Sequence, residues 1–319
     1  MKKTTFLENG QFYKGNIHCH TTCSDGKLSP DAIVKAYQDK GYDFLAITDH
    51  NVFSHYTCYD TDRFVMIQGV EGNLRAPADN HREYHFIVLP GPDGHWEAAD
   101  GEKFAHGERL EIPMLSDKAS VQAYIDDLYR RGYMVMINHP FWSRIEYDEI
   151  LGLINLFAME IFNYSYQTLE NMGESNVCYD ALLRNGMKLW CTAVDDNHND
   201  FPLDSAKCDS FGGFVQVKAE ELSERAICNA LASGSFYASM GPEIHDFYIE
   251  DGRFYFKCSP VQKIYANGDV RQIHCAVAED AEHPLTEMSG ELRGNEKYLR
   301  IECYDFEGRK AWTNPIWLI

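Results

Sequence analysis

Through the first three-quarters of the chain, short apolar segments alternate with longer amphipathic ones. No other property of the sequence restricts the fold so much. Residues 15–20 read as a first strand, and Ser29-Pro30-Asp31 then opens a helix running to Lys40, with Ile33, Val34 and Tyr37 at helical spacing and Gly41 as its stop. Residues 42–48, 64–70 and 84–89 read as strands. Residues 91–113 hold turn residues with little periodicity and read as a surface excursion. A helix over 116–131, strands over 134–138 and 157–162, a helix over 168–185, strands over 189–194 and 211–217, and a helix over 219–232 continue the alternation. This order predicts an α/β fold with a parallel sheet, and the number of units suits a barrel. Beyond Gly234 the pattern changes. Segments 244–249, 253–258, 263–265, 271–278, 297–306 and 311–319 read as short strands, with Asp251-Gly252, Asn267-Gly268 and Glu307-Gly308 as turn pairs. The expected division is a barrel over residues 1–240 and a small all-β domain over 241–319.

Nearly every strand of the first part ends in, or carries, a metal-ligating residue. His18-Cys19-His20 places two imidazoles on one strand face, and Asp25 follows in the next turn. Asp49-His50, Glu71, His85, Asn138-His139-Pro140 and Asp195-Asp196-Asn197-His198 recur at the later strands. Barrel enzymes build their sites at strand ends, so segments far apart in sequence are expected to converge. Imidazole with carboxylate suits Zn, Mn or Fe(II), and the absence of cysteine from the set argues against a closed structural zinc site. Cys19 and Cys23 lie close by but read as ordinary reduced thiols, as do the other eight cysteines, none of which forms a C-x-x-C pair.

His-x-His with Ser-Asp-Gly, Ile-Thr-Asp-His, an interior Glu, Asn-His-Pro and a late Asp-x-His together resemble the PHP (polymerase and histidinol phosphatase) superfamily over residues 14–240. The resemblance implies a distorted (β/α)7 barrel with a small C-terminal all-β domain, holding two or three divalent metal ions. It implies nine ligands: His18, His20, Asp25, His50, Glu71, His85, His139, Asp196 and His198. By resemblance His18, His20, Glu71 and Asp196 hold one metal, a bridging Glu71 with His85 and His139 the second, and Asp25, His50 and His198 the third. The family's usual Gly-Ser-Asp-Ala-His is here Val194-Asp195-Asp196-Asn197-His198; alignment on the histidine makes Asp196 the ligand and Asp195 a neighbour. The C-terminal stretch around Gly241-Pro242 and Arg300 to Pro315 is more loosely similar to the β extension of the CehA/McbA-like branch, which includes hydrolases of several ester types.

What the resemblance implies is a metal-dependent phosphoesterase: a metal-bridging hydroxide attacks phosphorus, and His198, His50 or a metal-bound water protonates the leaving group. Asp196, His50 and His198 are thus the expected catalytic residues as well as ligands. Arg144, just beyond His139-Pro140, and Arg82, near His85, are the expected substrate-binding cations. Asp49 and Glu160 are candidates for orienting ligand histidines, and Glu83 for an alternative ligand. Phe141, Trp142, Tyr164 and Tyr166 suit either packing or the stacking of a flat group. Two other readings stay open: a carboxyl or carbamate ester hydrolase on the same metals, and a non-catalytic metal-binding domain whose β module docks a partner.

Lys plus Arg is 29 and Asp plus Glu is 49, a formal net charge of −20. With no basic groove in view, this charge disfavours nucleic acid polymers and anionic membranes as partners and favours a small phosphate ester substrate. The chain contains no P-loop, no dinucleotide fingerprint and no G-x-S-x-G elbow. It shows no apolar run approaching the roughly 20 residues that span a bilayer, and its start lacks the apolar middle of a secretory signal, so a cytoplasmic protein is expected. The β domain has three uses open to it: a subunit contact in a homo-oligomer, a cap over the barrel mouth, or a brace. Loops 72–80 and 91–113 are expected to set the pocket size.

Overall fold

The computed structural model describes residues 2–77, 81–271 and 274–318. Its strands are β1 Gln11–Asn16, β2 Phe44–Ala46, β3 Val65–Ile67, β4 Val70–Leu74, β5 Tyr84–Pro90, β6 Tyr133–Ile137, β7 Leu156–Asn163, β8 Trp190–Val194, β9 Phe214–Ala219, β10 Phe236–Ser239, β11 Ile244–Glu250, β12 Arg253–Val261, β13 Lys263–Gly268, β14 His274–Val277, β15 Leu285–Glu291, β16 Tyr298–Tyr304, β17 Lys310–Thr313 and β18 Ile316–Trp317. The helices are α1 Pro30–Asp39, α2 Asp93–Ala98, α3 Lys118–Arg130, α4 Tyr147–Ile150, α5 Tyr164–Glu170, α6 Asn176–Arg184 and α7 Glu224–Ser233. No described helix is long and apolar enough to cross a membrane.

The fold is mixed α/β, and its strands divide into sheets where a single parallel barrel was expected. One sheet has the order β4-β5-β6-β7-β8; another runs β14-β13-β16-β17-β10-β9-β1-β2-β3, with β18 on β16; a third is β11-β12-β15. Among the described residues no continuous ladder joins β3 to β4 or β8 to β9. The parallel expectation holds for β1-β2-β3 and β6-β7-β8, whereas β5 is antiparallel to both neighbours and β9 to β1. At β4-β5 the cause is local: the connection from Leu74 to Tyr84 is short, and parallel neighbours need a crossover of a dozen or more residues. Where the two larger sheets face each other, isolated parallel bridges tie Cys19 to Asn197 and His50 to Glu71. These bridges lie among the expected ligands.

Three departures from the expected elements shape this region. The expected 15–20 strand ends at Asn16, so His18 and His20 sit on an extended segment beyond the ladder. The expected 64–70 strand breaks at Gln68-Gly69 into β3 and β4, which belong to different sheets and carry Glu71 into the second. The expected 168–185 helix is two helices. Asn171 closes the first with a left-handed φ of 58°, and a Cβ on Gly173 would lie 2.1 Å from the Asn163 carbonyl oxygen. In contrast, α1 begins as expected, with the Ser29 side chain accepting from the Ala32 N–H and Pro30 in the first turn.

The C-terminal strands are continuous with the rest of the molecule, because β17 pairs with β10 across the expected 240/241 boundary. A sheet-on-sheet core of Phe247, Phe254, Phe256, Ile264, Leu299 and Ile301 joins β11-β12-β15 to that sheet. Asn314 locks the junction. Its Oδ1 accepts from Cys191 N at 2.9 Å, and its Nδ2 donates to the carbonyls of Gly234 and Phe236 at 3.1 and 3.0 Å. β15 was not expected; its side chains are mostly exposed, so it has no apolar alternation to announce it, and it forms by pairing along β12. The expected 271–278 strand is seen as β14, residues 272–273 of it lying outside the described residues, as do Ile319 and residues 78–80 of the expected 72–80 loop. The expected 91–113 excursion contains the short helix α2. All ten cysteines are free.

Candidate metal centre

All nine expected ligand side chains converge where the two larger sheets meet. His18 Nε2 lies 3.1 Å from His20 Nε2, 3.2 Å from Glu71 Oε1 and 3.1 Å from Asp196 Oδ1. His20 Nε2 lies 3.0 Å from Asp196 Oδ1 and 3.4 Å from Glu71 Oε2. On the far side of Glu71, its Oε1 is 3.2 Å from His85 Nδ1 and 3.5 Å from His139 Nε2. At the rim, Asp25 lies 3.7 Å from His50 Nε2, 3.5 Å from His198 Nε2 and 3.8 Å from His20 Nδ1. Three groups here have ligand atoms close enough to share an ion: His20, Asp25, His50 and His198; His18, His20 and Glu71; His50, Glu71 and His85.

These spacings are those of donors around a cation. Four ligands at 2.0–2.1 Å in a tetrahedron sit about 3.3 Å apart, which is the separation within the His18, His20, Glu71 and Asp196 group. Glu71 Oε2, His85 Nδ1 and His139 Nε2 are buried and make no well-directed hydrogen bond among the described residues, although His50 Nδ1 stands 2.7 Å from Glu71 Oε2. A buried polar atom left unpaired is costly, and here the unpaired atoms belong to one cluster of side chains around Glu71. The residues fit divalent cations. The positions differ in exposure: the side chains of His18, His20, Glu71, Asp196 and His139 are at most 2% exposed, against 54% for Asp25, 28% for His50 and 21% for His198.

Hydrogen bonds aim the inner ligands. His18 Nδ1 meets Glu160 Oε1 at 2.6 Å, so Nε2 faces the cluster. Glu160 Oε2 accepts from His139 N at 2.9 Å and Asn163 Nδ2 at 3.1 Å, and Asn163 Nδ2 also donates to Asp196 Oδ2 at 2.9 Å. Ser143 Oγ engages His139 Nδ1 at 2.9 Å, and Asn138 Nδ2 donates to Glu71 Oε1 at 2.7 Å. Asp49 shapes the chain around His20 and Asp25 by accepting from Thr21 N, Thr21 Oγ1 and Ser24 Oγ at 2.8, 2.7 and 2.6 Å. Asp195 is turned away. Its carboxylate accepts from the backbone of Phe211, Gly212 and Gly213 and from the Tyr37 hydroxyl, leaving Asp196 to face the cluster. His139 and Asp196 hold left-handed backbone, with φ of 24° and 53°. Such strain costs of order 1 kcal/mol each and is found where a side chain must be aimed.

The electrostatics follow the packing. Burial works against charging His18, but the Asp196, Glu71 and Glu160 carboxylates outweigh it and hold its proton affinity well above the ordinary value. Burial likewise opposes ionisation of Glu71, and the surrounding His50, His18 and His85 overcome it, holding the carboxyl well below the usual range. His20 is pulled down to about 4 by burial, with Asp196 opposing. His198 rises to about 9, where Asp25 and Asp196 outweigh burial.

The two expected substrate-binding arginines point elsewhere. Arg82 Nε pairs with Glu149 at 2.8 Å, and Arg144 lies against Phe141 with its Nη2 3.3 Å from Met172 Sδ. Glu83 is half-exposed, 3.5 Å from His85 Nε2 and on the side of the ring away from Glu71. Trp142 and Tyr166 stack on each other beside His139, whereas Phe141 is exposed and Tyr164 packs toward Phe162. Sequence reasoning assigned no role to Ser143, Asn163 or Asp209, the last of which accepts from His198 N at 2.7 Å. Asn138 was legible in its motif only as a companion of His139. Two surface cavities of about 600 and 550 Å³, one against α3 and one beside residues 140–147, are lined by none of the nine ligands.

Among curated proteins, a 47-residue stretch is 45% identical to the DNA polymerase/3'-5' exonuclease PolX of Bacillus subtilis (strain 168), covering 15% of this chain and 8% of that protein. The chain therefore matches a small part of that relative's length. Among solved structures, one from Bacteroides vulgatus ATCC 8482, described as a two-domain protein containing a PHP-like metal-dependent phosphoesterase, is 14% identical, with 94% of this chain and 93% of that chain covered and a TM-score of 0.48. A candidate metal-dependent phosphoesterase from Bifidobacterium adolescentis ATCC 15703 is 15% identical over 60% of this chain and 88% of that one, with a TM-score of 0.37. An amidohydrolase from Chromobacterium violaceum is 15% identical over 58% and 87%, with a TM-score of 0.39. The sequence model of the PHP domain family matches residues 16–168, the stretch that carries His18, His20, Asp25, His50, Glu71, His85 and His139. The PHP likeness therefore holds for residues 16–168, just under half of the chain.

Proposed function

We propose that the protein is a metal-dependent hydrolase of small phosphate esters. The observation that carries this reading is the cluster of nine ligands, whose inner members are spaced as donors around a cation and keep buried, unpartnered atoms directed at one another. His18, His20, Glu71 and Asp196 would hold one Zn, Mn or Fe ion; Glu71 with His85 and His139 a second; Asp25, His50 and His198 a third. Metals so held would lower the pKa of a bound water and neutralise charge on the attacking and leaving oxygens of an in-line displacement.

The protein's own groups supply the rest. Glu160 and Ser143 hold His18 and His139 in one tautomer and orientation. His50 and His198, the most exposed imidazoles of the set, are assigned the proton passed to the leaving alcohol. Carboxylates at the rim and the −20 overall charge keep long polyanions away and leave a single phosphate group as the preferred anion. We further propose that the two larger sheets act as the halves of a distorted (β/α)7 barrel over residues 1–240, braced through Asn314 by the β strands of 241–319.

The test is elemental analysis of purified protein alongside turnover of an aryl phosphate, an aryl acetate and an aryl carbamate. Two to three metals per chain, with turnover confined to the phosphate, is expected. Turnover of the acetate or carbamate alone refutes the phosphoester assignment. Wild-type metal content in His18→Ala refutes the site.

A further inference from the structure

An oxyanion bound beside metal ions gains affinity and orientation from a hydrogen-bond donor of the protein. Arg82 and Arg144 are directed elsewhere, to Glu149 and to Met172. The donors around the ligand cluster are largely committed: Ser143 Oγ to His139, Asn138 Nδ2 to Glu71, Asn163 Nδ2 to Glu160 and Asp196, Ser24 Oγ to Asp49, and Trp142 Nε1 to Glu170.

Tyr166 differs from all of these. Its ring stands edge-on to the ligand His139, with centroids 5.0 Å apart at 78°. It is held in a near-parallel stack on Trp142 at 4.2 Å and 16°, and Trp142 itself stands edge-on to His139 at 5.1 Å. Its backbone N–H is capped by Asn163, the residue that also holds Asp196. The phenol is thus tied to the metal centre through both its ring and its main chain. Its hydroxyl has no hydrogen-bond partner among the described residues, and Asp196, Glu71 and Glu160 are the carboxylates whose field it feels most.

The geometry points to Tyr166 as the residue that donates a hydrogen bond to a non-bridging oxygen of a phosphoryl group in this pocket, with Trp142 as the positioning residue that holds the phenol in place. This deepens the phosphoester reading and rests on it for the chemistry of the ligand. It also replaces the arginines expected from sequence with a neutral donor, which suits a pocket whose charge the metals already balance.

The probe is inorganic phosphate, titrated calorimetrically into metal-loaded wild type and Tyr166→Phe, a change that keeps the stack and removes only the O–H. The expected result is phosphate affinity weaker by about tenfold to a hundredfold, the range for a hydrogen bond to a charged group, with metal content and melting temperature unchanged. Trp142→Ala, which frees the phenol without removing it, is expected to lose less than Tyr166→Phe. Affinity in Tyr166→Phe within twofold of wild type overturns the assignment, as does a metal-loaded wild type that does not bind phosphate. A wild type that binds phosphate but turns over no phosphate ester counts against the hydrolase reading alone, and the donor assignment is still read from the two affinities.

Discussion

Glu160→Gln isolates how much of the metal affinity comes from a residue that would touch no metal. The carboxylate accepts on both sides: Oε1 from His18 Nδ1 at 2.6 Å, and Oε2 from His139 N at 2.9 Å and Asn163 Nδ2 at 3.1 Å. A glutamine offers one oxygen and one NH₂ in the same volume, and neither orientation satisfies the site. With the amide oxygen toward His18, the NH₂ faces the His139 N–H and the Asn163 NH₂, so donors meet donors. With the NH₂ toward His18, the imidazole must carry its proton on Nε2, 3.1 Å from Asp196 Oδ1, where the ligand lone pair is needed. Either way at least one charge-assisted hydrogen bond is lost, about 1.5–3 kcal/mol each. Residues that orient metal ligands typically contribute 10- to 100-fold in metal affinity, or about 1.4–2.7 kcal/mol. The two figures agree, so a loss of one to two orders of magnitude in affinity for the tightest metal is expected. The assay is competition against a chromophoric chelator, normalised to folded protein by near-ultraviolet circular dichroism. Affinity within a factor of two of wild type in folded Glu160→Gln refutes the claim that this carboxylate sets the His18 tautomer.

The exposure gradient predicts stepwise metal loss: graded chelation followed by elemental analysis should remove about one metal per chain before the other two, and Asp25→Asn should lower content by that same metal. Simultaneous loss of all metals would contradict this. Gly72→Ala should destabilise the fold by about 1–3 kcal/mol in urea, because its Cβ would lie 2.0 Å from the buried Tyr124 hydroxyl; Tyr124→Phe in the same chain should restore most of the loss, and no restoration means the clash is misplaced. Asn314→Ala strips partners from Cys191 N and the carbonyls of Gly234 and Phe236, so a loss of about 2–4 kcal/mol is expected in equilibrium unfolding. A loss under about 0.5 kcal/mol shows that the junction is held by its apolar core instead.

The cluster of candidate ligands was legible because metal chemistry restricts residue type. Imidazole and carboxylate are its donors, and their recurrence at successive apolar segments is a one-dimensional pattern. Helix starts were legible for the same reason: Ser29-Pro30-Asp31 acts through neighbours a few residues away. Strand direction was not. The reversal of β9, and the splitting of one apolar run into β3 and β4, depend on which edges meet across the molecule, and that leaves no periodicity behind. The choice of Asp196 over Asp195 could be read by aligning the motif on His198, but its physical cause could not. It is made by three backbone N–H groups from residues 211–213 that claim Asp195. Arg82 and Arg144 lie only three and five residues from His85 and His139, yet turn to partners across loops, since a long side chain follows the nearest opposite charge or apolar surface rather than its chain neighbour.

The sequence by itself therefore determined which atoms are available to hold metal and which segments carry them, because residue identity and local spacing are properties of the chain. Only the tertiary structure decided their directions: which lone pairs remain unpaired, which carboxylates are spent on backbone, and that the Tyr166 ring stands edge-on to His139. Hydrogen bonding saturates at each atom, so the role left to any one side chain is decided only once all its neighbours in space have taken theirs.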